Sequence, residues 1–441
     1  MKARLQAVCA VAVVALALAA CGGPSMSVKK HVTDLVVAED YERASAYLEQ
    51  IREAEYGQKN AVIYYLDAAT VLHHAGRYQE SDAAFDKAEK RMEELYTTSV
   101  SKAAATLLVN DNLQDYSGEA FERALANIFR ALNYVFLGQT DEALVEARKV
   151  EVLLDEISRH RGKKNVYKDD AFARYFDSLL YEDAGQSDDA RISREAAEKA
   201  YQWYASKYGT GAPDFSGPKR GAGDGEIVFI HYAGVGPMKV SKTFQVAWKD
   251  GLAAVHSATA DTQDAATKQQ VANALAAGAA GDSITVSYPE YVQQPFTIVD
   301  SEVQAEDRAA PTVLVEPIAA IAVKDLQDRM LSVRGRAIAR ATIKFLMAKV
   351  AGKEAQKKGD FAAILTQRLL AAAAAATEVA DTRGWTTVPA QIRMARLAAA
   401  PGSHELTVRF KDASGAVVKT RVFKVVVKKG KRTYLAYRTA Q

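Results

Sequence analysis

Between Lys29 and Gly211 the chain contains no proline. Proline removes a backbone N–H and clashes with the preceding helical turn, so its absence over this length allows long unbroken helices. The stretch is also rich in Ala, Leu, Glu and Arg, which favour helix. Four segments in it share one layout: Glu39-Asp40-Tyr41-Glu42-Arg43-Ala44, Gly76-Arg77-Tyr78-Gln79-Glu80-Ser81, Gly138-Gln139-Thr140-Asp141-Glu142-Ala143 and Gly185-Gln186-Ser187-Asp188-Asp189-Ala190. Each is a turn that opens a helix, with polar residues followed by Ala or Ser. From Gly209 to Gly225, eight Gly and Pro residues interrupt regular structure. The sign of the charge changes at the same place. Residues 31–200 carry 33 acidic and 21 basic side chains, and residues 201–441 carry 21 acidic and 32 basic, although the whole chain is only +3. Such segregation implies two bodies, which either dock on each other or pair head to tail between molecules.

The first body resembles the tetratricopeptide repeat. In the second copy Ala69, Gly76, Tyr78, Ser81, Phe85 and Ala88 fall on that repeat's packing positions, and in the third Ala131, Gly138, Ala143 and Ala147 do. The copies are 37, 62 and 47 residues apart, not the regular ~34 of the repeat. The expectation is a degenerate all-α helical repeat domain over residues 31–208, with residues 107–117 as a loop between repeats. Its recurring tyrosines, Tyr56, Tyr64, Tyr65, Tyr134, Tyr175, Tyr181, Tyr201 and Tyr204, are expected mostly in the core, with a binding groove as the rival reading.

Residues 209–225 read as a linker and residues 226–441 as an α+β domain. Glu226–Val235 is a short apolar run typical of a buried strand, with Val240–Trp248 as its hairpin partner across Gly234-Val235-Gly236-Pro237. Ile284–Tyr288 and Phe296–Val299 read as further strands. Pro317–Lys349 is helical, with Arg329, Arg336, Arg340 and Lys344 sharing one face, and Phe361–Val379 is a second, Ala-rich helix. Leu406–Phe410, Val417–Val427 and Thr433–Arg438 close the chain as an antiparallel sheet, with turns at Asp412–Gly415 and Lys428–Lys431.

The start of the chain has its own pattern. Lys2 and Arg4 precede an apolar run from Leu5 to Ala17, then Leu18-Ala19-Ala20-Cys21. This is the layout of a secretory signal, and the run is shorter than the ~20 residues needed to span a bilayer. Leu18–Cys21 resembles the lipobox of bacterial lipoproteins. That resemblance implies removal of residues 1–20 and acylation of Cys21, with residues 21–30 as a lipidated tether. Gly22, in place of Asp, implies the periplasmic face of the outer membrane. Cys9 leaves with the signal, so no disulfide is expected in the oxidising periplasm.

A second resemblance covers most of the mature chain. It rests on Phe229–Lys239, Asp381–Ala390 with Ile392, Ala395, Arg396 and Leu397, and Pro401–Leu406. These are similar to segments of uncharacterised proteobacterial lipoproteins with tetratricopeptide-like N-terminal halves. Members have no assigned activity, and their genes often neighbour lipoproteins that activate penicillin-binding proteins. The resemblance implies a periplasmic protein partner, a peptidoglycan synthase regulator among the candidates.

Motifs for chemistry are lacking. There is no His-Glu-x-x-His, no P-loop and no Gly-x-Ser-x-Gly. His73 and His74 are adjacent and so diverge on a helix. His231 and His404 read as structural. Asp169-Asp170 and Asp188-Asp189 read as solvated helix starts. Trp385 and Pro389 read as anchors of the loop to its own domain core, with Arg383 pairing an acid and ligand binding as the rival reading for Trp385. Residues 404–441 hold ten basic and two acidic residues, and Lys428, Lys429, Lys431 and Arg432 are the candidate contacts to an anionic polymer. The expected function is that of a non-catalytic adaptor without cofactor or nucleic-acid partner, whose solenoid offers a concave surface to proteins. The alternative is a peptidoglycan binder or cell-wall enzyme using the basic C-terminal domain. Labelling cells with a lipid precursor is expected to mark the wild-type protein, and Cys21→Ser is expected to abolish the label. A soluble, unlabelled wild type would remove the lipoprotein reading.

Overall fold

The four turns noted above stop helices by one device. Glu39, Gly76, Gly138 and Gly185 have φ of 59°, 75°, 75° and 76°. The residue after each donates its N–H five residues back, as Arg77 N does to Leu72 O at 2.9 Å and Gln139 N to Tyr134 O at 2.8 Å. This left-handed cap satisfies the last carbonyls of one helix and frees the chain for the next. Glycine adopts it without strain. Glu39 is the exception, and its carboxylate is held by Lys419 and by the Tyr437 hydroxyl at 2.7 Å.

The computed structural model describes residues 23–102, 112, 114–161, 167–247, 283–357 and 380–441. Its helical half comprises α1 (Met26–Val37), α2 (Tyr41–Ile51), α3 (Ala61–His74), α4 (Tyr78–Lys102), α5 (Ala120–Phe136), α6 (Thr140–Arg161), α7 (Ala171–Asp183) and α8 (Ser187–Tyr208), with a π-helical turn at Arg52–Tyr56 after α2. Consecutive helices pack on one another. The C-terminal half holds β1 (Gly225–Ala233), β2 (Met238–Ala247), β3 (Ser283–Val292), β4 (Asp300–Ala305), β5 (Arg308–Pro311), β6 (Val313–Glu316), α9 (Ile318–Lys357), β7 (Gln391–Ala399), β8 (Gly402–Lys411), β9 (Val417–Val427) and β10 (Arg432–Thr439). The chain is therefore α+β, with a helical N-terminal half and mainly antiparallel sheets after it. No helix of the described residues is long and apolar enough to cross a membrane.

Strand β1 is buried along its whole length and explains the layering. Its even residues Val228, Ile230 and Tyr232 join the core of the helical half. Its odd residues Ile227 and Phe229 join a second core with Leu406, Val408 and Phe410 of β8. Because successive side chains point to opposite faces, one strand serves two cores, and the order is helices, central sheet, outer sheet. The central sheet runs β10-β1-β7-β6 and the outer sheet β5-β4-β8-β9. A third, small core packs β3 on α9 through Ile284, Val286, Ala337 and Ala341.

Several pairings differ from the sequence reading. β2 is not the partner of β1; it pairs with β3, Met238 opposite Val292. β10 does not continue from β9 in one antiparallel sheet; it crosses to the central sheet and runs parallel to β1. Phe296–Val299 is not a strand, and pairing begins at Asp300. Residues 26–30 are not tether but the first turn of α1, where Val28 and Lys29 are buried. The expected helix Phe361–Val379, Lys344's side chain and most of the 107–117 loop lie outside the described residues.

Phe129 of α5 sits where the halves join. It is 0% exposed and meets the rings of Phe85, Tyr232 and Trp385 at 5.6, 5.5 and 5.7 Å. Phe129→Ala is expected to cost about 3–5 kcal/mol. With a shared core, helix signal and tryptophan fluorescence should be lost in one coincident transition. Two separated transitions would mean that the halves fold independently.

Candidate functional site at the junction of the two halves

The segment from Ala380 to Ala390 has no regular hydrogen-bonded structure, yet much of it is buried. It lies as a strap across α1, α3 and α5. Backbone N–H groups that leave no ladder need acceptors, and two helix carboxylates supply them. Asp67 of α3 accepts from Thr386 N and Thr387 N, each at 2.9 Å, and from the Thr387 hydroxyl at 3.1 Å. Glu122 of α5 accepts from Trp385 N at 2.8 Å. Trp385 is 4% exposed, its indole N–H donating to Thr70 Oγ1 at 2.9 Å. Arg383 is clamped by Asp381 at 2.8 Å and donates to Gln114 O at 2.7 Å. Burial pushes the Asp67 carboxyl up to about 6, against the pull of the Thr387 and Thr386 N–H groups and the Tyr56 hydroxyl. Burial likewise raises Glu122. The sequence pointed to Trp385 as an anchor within its own domain; its socket is instead in the helices.

Beside the strap lies a cleft of about 350 Å³. It is walled by the start of α5, by β2 and β3, and by α9. Six basic residues line it, Arg123, Lys239, Arg329, Arg336, Arg340 and Arg383, against three acids, Asp115, Glu119 and Asp381. Those acids are engaged. Asp115 meets Arg91 at 2.5 Å, and Asp381 meets Arg383. Glu119 is held by Lys239 and by Arg329, the latter at 2.5 Å. Burial opposes the Glu119 charge, but Arg329 and Lys239 outweigh it and hold its carboxyl well below the usual range. Arg329 also meets Asp325 at 3.0 Å. The cleft therefore has a positive balance in partly buried surroundings, where screening is weaker than in open water. The helix face carrying Arg329, Arg336 and Arg340 was visible in the sequence; Lys239 and Arg123 had no such signal.

The polymer-contact residues separate. Lys428, Lys429 and Lys431 stand exposed at the turn between β9 and β10. Arg432 does not join them. Its side chain is 4% exposed, bound to Glu182 and Asp183 of α7, the latter at 2.7 Å, and to Glu226 at 3.1 Å. It ties the central sheet to the helices. Cys21 lies outside the described residues. Three of the histidines are hydrogen-bonded to neighbours, whereas His74 leaves its buried Nε2 without a hydrogen-bond partner. His73 bonds Asn133 Oδ1 at 2.6 Å and the Tyr232 hydroxyl at 2.8 Å. His231 bonds Ser301 and Thr439, at 2.9 and 2.8 Å. His404 bonds Ala400 O at 2.7 Å and Glu306 at 3.0 Å. Asp170 is not solvated: it is 1% exposed, caps α7 through Ala173 N at 2.8 Å, and is pushed up to about 6 by burial. Asp188 and Asp189 do lie exposed at the start of α8. Among the described residues no group of three or more His, Cys, Asp or Glu is placed to hold a metal.

No protein-family model, curated protein or solved structure matches the chain.

Asp67→Ala is expected to leave two strap N–H groups and the Thr387 hydroxyl without their acceptor. At about 1–3 kcal/mol for a buried group left unsatisfied, denaturant unfolding should show a loss of at least about 2 kcal/mol. A neutral effect would mean that Asp67 does not hold the strap.

Proposed function

We propose that this chain is a lipid-tethered adaptor of the bacterial cell envelope, without chemistry of its own, that receives an anionic envelope ligand in the junction cleft. The carrying observation is the charge of that cleft: six basic side chains against three acids that are already ion-paired. Peptidoglycan, whose stem peptides carry carboxylates, has the matching sign. The tether would rest on Cys21 and hold the cleft at the periplasmic face of the outer membrane, raising the local concentration of ligand. Resemblance to envelope lipoproteins, together with their gene neighbourhood, points the same way.

Tetratricopeptide-like character of α1–α8 belongs to the same proposal. In its support, the four turns share one left-handed cap, and Ala69, Ser81, Phe85 and Ala88 are all fully buried. The Ser81 hydroxyl donates to Ala69 O at 2.8 Å, so small residues bring α3 and α4 close. The inner face contacted by Asp67, Thr70 and Glu122 already holds the chain's own strap. The ligand surface is accordingly the cleft at its edge, not the concave face of the helices.

The test is cosedimentation of the lipidated, full chain with purified peptidoglycan sacculi. Binding is expected, falling with salt as exposed charges are screened, with no release of soluble fragments. Arg336→Glu is expected to weaken binding at least fivefold. Changing Lys428, Lys429 and Lys431 together to Gln is expected to have little effect. Loss in the triple variant alone would move the site to the β9–β10 turn, and release of fragments would replace the adaptor with an enzyme.

A further inference from the structure

A second cavity lies on the other side of Lys239, and the cationic cleft does not account for it. Its volume is about 360 Å³, and its walls include Met26 of α1, Phe121 of α5, Met238, Trp385 and Val388. Cavities of this size with mostly apolar walls and a few convergent polar groups are typical small-molecule sites. Three polar groups converge here. Lys29 lines the cavity at 7% exposure. Its ammonium donates to Thr382 O at 2.9 Å, and among the described residues no carboxylate forms an ion pair with it. Two acids, Asp34 and Glu122, line the cavity, and Asp67 and Asp381 act on the Lys29 charge from outside the lining; all four are committed elsewhere, Asp67 to the Thr387 N–H and Asp381 to Arg383. Asp34 holds Lys30 at 2.7 Å. Glu122 takes Trp385 N at 2.8 Å, the Tyr116 hydroxyl at 2.6 Å and Glu119 N at 2.9 Å. The other two polar groups are the hydroxyls of Tyr291 and Thr386, both lining the cavity, both buried and neither hydrogen-bonded.

A buried cation without an ion pair and two buried hydroxyls without partners are each costly unless something meets them. Burial lowers the Lys29 pKa, with Asp67 acting against it, and an arriving anion would favour the charged form. Burial also keeps the Tyr291 phenol protonated, and so a donor. All three groups can donate hydrogen bonds, and the walls are apolar over most of their area, although Lys30, Lys239 and Gln294 also reach the cavity. We propose that this cavity binds an amphipathic anion, a carboxylate or phosphate head on an apolar chain. The head meets Lys29, Tyr291 and Thr386, and the chain lies against Met26, Phe121 and Trp385. This goes beyond the proposed function: it concerns a different cavity and a ligand that need not belong to the cell wall.

The test uses the full chain and three diazirine-bearing photoprobes: dodecanoic acid, dodecanol of the same length, and phosphatidylglycerol carrying the same chain. Labelled peptides are mapped by mass spectrometry. Dodecanoic acid is expected to label residues 26–34 or 382–388 at least tenfold more than dodecanol, and excess unlabelled dodecanoate should compete. Equal labelling by the acid and the alcohol, or labelling only elsewhere, overturns the proposal. Labelling by phosphatidylglycerol in place of the free acid identifies a membrane lipid as the source of the anion, which also supports it. Lys29→Met should erase the preference for acid over alcohol without unfolding the chain; a preference that persists overturns the role of the cation. Should Lys29→Met not fold, Thr33→Trp decides, since it places a large ring at the cavity wall from the half-buried face of α1. It should abolish labelling at these peptides, and undiminished labelling there overturns the proposal.

Discussion

The strap from Ala380 to Ala390 is the constraint on which the rest of the structure depends. It brings a tryptophan, an arginine and several N–H groups that join no strand ladder from the C-terminal half into the helices, where Asp67 and Glu122 accept from them. Burying Asp67 and Glu122 is unfavourable by itself, and the raised pKa values of both record that cost. What offsets it is a set of directed hydrogen bonds from strap backbone to carboxylate, stronger than neutral pairs. The arrangement resembles a peptide bound in a groove, except that the peptide is covalently part of the chain. Without the strap, the faces of α3 and α5 beneath it would present buried-type acids and aromatic rings to water. With it, they form the floor of a core that continues into the central sheet.

Charge segregation takes its meaning from the same joint. The acidic excess of the helical half and the basic excess that follows it meet within one molecule. Glu39 binds Lys419, Glu119 binds Lys239 and Arg329, and Glu182 and Asp183 bind Arg432. In each pair the acid comes from the helices and the base from the C-terminal half. Several of the partners are nearly buried, so these contacts act less through net energy than by fixing how the faces meet. Glu39 shows the point most clearly. It occupies a left-handed position that its three counterparts give to glycine, and its side chain reaches the outer strand.

Two cavities flank Lys239, and they differ in character. One is ringed by guanidinium groups and suits a charged, hydrated ligand; the other has walls that are mostly apolar in area. Lys239 lines both, and its ion pair with Glu119 leads to the capping box that starts α5. The cap thus both closes a helix end and, through Glu119, fixes a charged side chain of the cleft.

The sequence by itself determined the elements that depend on local physics. Proline-free, helix-favouring composition with recurrent turns located the helical region and four of its turns, because such a turn is decided within a few residues of chain. The continuous apolar run of β1 read as a buried strand, and so it is. Alternation located β8 and β9, and the face shared by Arg329, Arg336 and Arg340 was legible from helical period. Only the tertiary structure decided which strands pair: β2 with β3, and β10 parallel to β1. A period of two fixes which side chains share a face but says nothing about which neighbour supplies the hydrogen bonds. Likewise Arg432 and Lys431 are adjacent basic residues in one turn and strand start, and nothing local separates them. One is exposed and the other buried because Glu182, Asp183 and Glu226, distant in sequence, converge on a single side chain. Partners far apart along the chain meet only once the halves have docked. For that reason the strap's socket, the buried arginine and both cavities belong to the fold and not to any stretch of the sequence.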